Sequence, residues 1–187
     1  MMFFAKGQAR PQGQGTISAL ICLFLALFAG SKSYAVSDNL QFNGTLVADP
    51  CVLDPTTESV ELDFGTVINK YLYINTRIHS QPFVIRLLEC DLSLGTTVTM
   101  TFSGTADNEL TDMLAITGTA SGVAIGMELP DGTSLPFNKA TPAFVLTEGS
   151  TELTLKGYVQ GKPTAIQNRS IVNGTFNAVA NFTLNYE

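Results

Sequence analysis

His79 is the one histidine in the 187-residue chain, so only it could supply the imidazole base of a Ser–His–Asp site. It lies in Arg77-Ile78-His79-Ser80-Gln81, a polar stretch ahead of an apolar run, and no Gly-x-Ser-x-Gly elbow occurs. A single imidazole also removes the His-rich metal sites. The acids form two loose groups, Glu58, Glu61 and Asp63 along one stretch and Asp107, Glu109 and Asp112 in another. Neither has the tight oxygen spacing and closing bidentate Glu of a calcium loop, and both read as solvated edge or loop residues. Asn43, Asn168, Asn173 and Asn181 each open an Asn-x-Ser/Thr sequon, which matters only in a eukaryotic secretory pathway. No catalytic constellation, metal site or cofactor site emerges, and the expectation is a protein that is not an enzyme.

The elements that would position these residues read as strands. Leu40, Phe42, Gly44 and Leu46 alternate with polar neighbours, as do Val98, Met100 and Phe102. Leu153, Leu155 and Val159 share a period-2 register that Gly157 is expected to break. The longest alternation is the last, with Phe176, Ala178, Ala180, Phe182, Leu184 and Tyr186 on one side. Period 2 puts each such set on one face of a strand. Phe83–Leu88 is nearly continuous in apolar character, as expected of a strand buried on both faces or central in its sheet. Glu58, Glu61 and Asp63 alternate partly along one further expected strand. Turn signals such as Asp49-Pro50, Pro130-Asp131-Gly132 and Asn173-Gly174 separate the runs, and no window of eleven residues carries a helical stripe. The pattern predicts an all-β antiparallel sandwich.

Composition narrows the class. Hydrophobic residues make up 45% of the chain and charged residues only 14%, which argues against disorder as a whole. The net charge of −6 has the wrong sign for non-specific nucleic-acid binding. At the start, Lys6 and Arg10 precede the uninterrupted apolar run Ile17–Ala29, followed by Ser33-Tyr34-Ala35. Thirteen residues span about 20 Å of helix, short of the ~30 Å hydrocarbon core. Residues 1–35 therefore read as a secretory signal peptide cut after Ala35. Its removal takes Lys6, Arg10 and Lys32 but no acid, leaving 7 bases against 16 acids, net −9. It also takes Cys22, so Cys51 and Cys90 remain as a pair in an oxidising setting, where a disulfide is the default. No Trp separates the two cysteines, and their loop is too short for the inter-sheet bridge of antibody domains.

These features resemble the pilin subunits of Gram-negative chaperone–usher fimbriae. The resemblance rests on Gly174 to Tyr186 with its alternating apolar face, the Cys51/Cys90 pair, and an N-terminal alternating segment containing Gly44. The stretch Phe83–Cys90 is similar to the strand around the second cysteine in minor subunits of P-type pili. The resemblance covers Val36–Glu187 and implies an incomplete immunoglobulin-like sandwich lacking its final strand, completed by donor-strand exchange. It implies a donor-strand extension over residues 36–47, with Leu40, Phe42 and Leu46 as inserted side chains and Gly44 over a shallow part of the neighbour's groove. The domain proper would be residues 48–187. Its acceptor groove and chaperone-binding strand would use Gly174, Phe176, Ala178, Ala180, Phe182, Leu184, Tyr186 and Glu187, the last through its carboxylate. The implied partners are a periplasmic pilus chaperone, an outer-membrane usher and adjacent pilin subunits, with export through the periplasm to a surface fimbria that supports adhesion. The resemblance points to a minor or adaptor subunit, and rod and terminating roles stay open.

A secreted, lectin-like β-sandwich acting as a folded monomer is the other reading. In it, Val36–Leu46 would pair within its own sheet and the last strand would belong to a complete sandwich.

Overall fold

In the computed structural model, the described residues are Leu46 and residues 48–187. The expected signal peptide, 1–35, and Leu40, Phe42 and Gly44 lie outside them. Leu46 is fully exposed.

Two antiparallel sheets enclose the main core. The larger contains β1 (Val52–Leu53), β2 (Gln81–Cys90), β9 (Gly149–Gly161), β6 (Val123–Glu128) and β4 (Leu114–Ala115) in that order, with β7 (Ser134–Leu135) on β6. The smaller is β11 (Asn181–Tyr186), β3 (Thr97–Ser103) and β8 (Phe144–Val145). A short ladder joins β5 (Thr117–Gly118) to β10 (Phe176–Asn177). The inward residues of β2 and β9, Ile85 and Leu87 with Leu153 and Leu155, meet Val98, Met100 and Phe102 of β3 in one buried cluster. Apolar side chains at period 2 on both sheets thus remove one face of each from water.

Two of the strand expectations need correction. Gly157 does not interrupt the register of β9. The ladder to β6 runs on through it and the ladder to β2 reaches it, and its missing side chain lets Leu62 lie against the strand, where a Cβ would stand 2.6 Å from Leu62 Cδ2. Phe83–Leu88 takes the second of its two expected settings, central in its sheet between β1 and β9, with Ile85 and Leu87 pointing in while Arg86 is exposed and ion-paired with Glu152. Glu58–Asp63 is not a strand. The segment starts in a bend at Glu58 and Ser59 and forms no ladder with any described residue.

Local devices set the remaining geometry. At Glu89 the backbone turns to φ 53°, and the ladder shifts register between Leu88 and Cys90, so that Cys90 pairs with Gly149. Cys90 is disulfide-bonded to Cys51, which immediately precedes β1. The bridge therefore ties neighbouring strands of one sheet. A short helix, α1 (Asn69–Asn75), buries Leu72 against Val123 and Val159 in a second cluster, and α2 (Pro163–Gln167) follows β9. Asp107, expected to be solvated, is buried. It pairs with Lys162 and accepts the N–H groups of Glu109 and Leu110, while Glu109 accepts from Thr164 at the start of α2. That acidic loop is a fastening between the 107–112 turn and α2.

Candidate functional site, an open groove between two unpaired walls

Among the described residues the last strand is an edge strand. Within the small sheet β11 pairs only with β3, in the register Phe182↔Phe102, Leu184↔Met100 and Tyr186↔Val98. The expected alternation is present from Phe176 to Tyr186: every second residue turns inward, and the ones between are exposed. Yet all six inward residues are only half-buried, whereas their neighbours Val98 and Met100 on β3 are fully buried. An apolar face that points inward and still meets solvent has no full covering layer among the described residues.

The space over that face is a groove of about 1420 Å³. One wall is residues 173–182, which include Gly174, Phe176, Ala178, Ala180 and Phe182. The opposite wall is residues 58–69, with Leu62 and Phe64 turned in and Glu61 and Asp63 out. The floor is core surface, including Ile85, Phe102, Met127 and Val159. Leu184 and Tyr186 do not line this cavity. They continue past its end onto the main core, and the Tyr186 hydroxyl points at the Cys51 carbonyl at 3.5 Å. Burial raises the Tyr186 phenol above its usual pKa, with the Asp49 charge adding to it, so the hydroxyl stays protonated. Glu187 is fixed by its main chain: its oxygen accepts from the N–H groups of Thr96 and Thr97, and its own N–H donates to Thr97.

At the other end the walls approach each other. Phe64 stacks on Phe176 with ring centroids 6.4 Å apart, and Asn69 donates to Asn173 Oδ1 at 3.0 Å. Gly174 sits where the chain crosses residues 119–120, and a Cβ there would stand 2.4 Å from Thr119 Oγ1 and 2.7 Å from the Ala120 nitrogen. Glycine is required there by close backbone approach. Between these ends, main-chain groups of residues 58–67 and 178–180 form no backbone hydrogen bond with any described residue. Two unpaired main-chain rows facing a shared apolar trough are suited to a strand inserted between them, which would find hydrogen bonds on both sides.

Sequence reasoning missed the 58–69 wall. Its signal was Leu62 and Phe64 alternating with Glu61 and Asp63, which reads as a strand; the structure leaves the ladder partner out. His79 is exposed and bonded to the Tyr71 hydroxyl at 3.1 Å, away from the groove lining.

A sequence model described as fimbrial protein matches residues 40–187. The chain is 33% identical over 174 residues to the fimbrial adapter PapK of Escherichia coli, covering 89% of this chain and 96% of that protein. It is 32% identical over 146 residues to the Fimbria A protein of Serratia marcescens, covering 78% and 82%. Among solved structures, the P pilus rod subunit PapA superposes with a TM-score of 0.66 at 25% identity, over 74% of this chain and all of that one. A subunit from a chaperone–usher pilus structure gives the same TM-score and identity over 97% of this chain and 100% of its own.

Proposed function

Since the chain belongs to the fimbrial protein family, we propose that it is a structural subunit of a chaperone–usher pilus that polymerises by donor-strand exchange. Its fold is the incomplete immunoglobulin-like sandwich of those pilus subunits. The observation that carries the reading is the half-buried inward face of Phe176, Ala178, Ala180 and Phe182 opposite residues 58–67, whose main chain bonds to no other main-chain group among the described residues. Such a groove is an aggregation hazard unless a strand fills it. In this reading a periplasmic chaperone fills it first, with the usher at the outer membrane directing exchange for the extension of the next subunit. Residues 36–47 are this chain's own donor, inserting Leu40, Phe42 and Leu46 into a neighbour, with Gly44 over a shallow site. Residues 1–35 direct export, and the product resides in a surface fimbria. The adaptor role follows the likeness to PapK.

The test is thermal unfolding of oxidised residues 36–187, with and without a tethered C-terminal copy of residues 36–47. A short linker raises the local concentration of the strand enough to fill the groove. A large rise in midpoint, with conversion of aggregate to monomer, is the expected result. An already stable monomer unchanged by the added strand would mean a complete sandwich and a monomeric binding module.

A further inference from the structure

The two walls of the groove differ in charge. Residues 173–182 contain no charged side chain, whereas the opposite wall carries Glu58, Glu61 and Asp63, all exposed. Among the described residues, no Lys or Arg lines the groove. The four ion pairs among the described residues use Asp107, Asp112, Glu128 and Glu152, so none neutralises this wall. Asp63 accepts the N–H of Gly65 at 2.8 Å, which holds its carboxylate beside the wall.

We propose that this groove selects an extended strand bearing Lys or Arg at its outward positions over a strand without basic side chains, such as this chain's own residues 36–47. The proposal rests on the donor-strand reading above. A strand laid along the 58–69 wall places its inward side chains over the floor and its outward ones beside Glu61 and Asp63. Opposite charges at such cross-strand positions attract and like charges repel. Complementary charge also speeds encounter, most strongly at low salt. The chain's own extension offers Gln41, Asn43 and Thr45 on its outward side, contains no base, and has Asp38 as its only charge. Self-pairing gains nothing from the acidic wall, so the preferred occupant is a strand from a different protein. The wall thereby biases assembly toward a heteropolymer.

The test uses residues 36–187 purified as a complex with the periplasmic chaperone of the same host. Three labelled synthetic peptides are offered: residues 36–47 unchanged, with Gln41→Lys and Asn43→Lys, and with Gln41→Glu and Asn43→Glu. Uptake is followed by fluorescence anisotropy at about 20 mM and about 0.5 M salt, where screening is weak and nearly complete. At low salt the lysine peptide is expected to enter roughly tenfold faster than the unchanged one, with the glutamate peptide slowest. High salt should bring the three within about twofold. The Glu58→Gln, Glu61→Gln, Asp63→Asn protein should show the same collapse at low salt. Equal uptake of all three peptides by the unmodified protein overturns the selection while leaving donor-strand exchange standing. An order that survives in the triple variant places the charge elsewhere and also overturns it. Uptake of no peptide at either salt overturns the donor-strand reading, and this inference with it.

Discussion

Glu128 is a charged residue in the interior, 3% exposed on the inner strand β6, and its partners explain how it is tolerated. Arg77 reaches it at 2.8 Å, and the Ser80 hydroxyl donates to its other oxygen at 2.6 Å. Arg77 is itself held over the Tyr158 ring, 4.0 Å from its centroid. Burial pushes the Glu128 carboxyl up, but the hydrogen bonds from Arg77 and Ser80 outweigh it and hold the group below its ordinary carboxyl value. A carboxyl depressed in the folded state stabilises fully above its unfolded value, and that contribution fades as pH falls through the folded one. Glu128→Gln should therefore lower stability at pH 7 by about 1–2 kcal/mol, kept modest because Arg77 is partly solvated. In urea melts the gap to the unmodified protein should narrow as pH drops below about 4.5. A gap independent of pH would assign the loss to packing instead. Gly174 is a second single-residue dependence. Gly174→Ala would push a methyl into the backbone of residues 119–120 and should destabilise by about 1–3 kcal/mol in the same melts.

Elements differ in how openly the sequence declares them. β11 was legible because it closes an apolar alternation of six positions that begins at Phe176, and period 2 survives whether or not the opposite layer is present. β3 and β9 were legible for the same reason. The 58–69 wall was misread because its alternation is that of a strand, while strand identity also needs a neighbour to bond with; periodicity reports the face and is silent on the partner. Asp107 was misread because a carboxylate's burial depends on Lys162, which is distant in sequence and reaches it only through the fold. The Cys51–Cys90 bridge was legible from compartment and parity. It joins residues 39 apart and holds β1 at the margin of the large sheet, below the Tyr186 hydroxyl. Replacing both cysteines by Ser should cost about 4 kcal/mol in the chain-entropy account. Thermal unfolding of that variant, with and without a filled groove, should show a drop in both. The last element carries its own prediction. Tyr186 and Glu187 tether the end of β11 to Cys51, Thr96 and Thr97. Deleting both should weaken capture by the chaperone in co-purification, and undiminished capture would argue against this strand as the docking edge.

At the scale of the whole molecule, the proposed function separates into an acceptor and a donor on one chain, and the two can be broken independently. The acceptor is the groove between residues 58–69 and 173–182. The proposed donor is residues 36–47, in which Leu40, Phe42, Gly44 and Leu46 share one side by period 2. Phe42 is the largest of that set and the only aromatic one, so it carries the greatest share of the apolar burial offered to a neighbour. Phe42→Asp would place a charge in an apolar trough, where desolvation without a partner is strongly unfavourable. The variant should enter its chaperone complex normally, because that step uses the subunit's own groove, but should fail to insert into the groove of the preceding subunit. Mixing purified chaperone complexes and following ladder formation by gel electrophoresis separates the steps, with the unmodified chain extending and the variant halting as a terminal acceptor. Loss of the chaperone complex as well would mean that residues 36–47 serve the subunit's own fold. In that event the segment is a strand of its own sandwich, and the acceptor groove would need a different source of its missing layer.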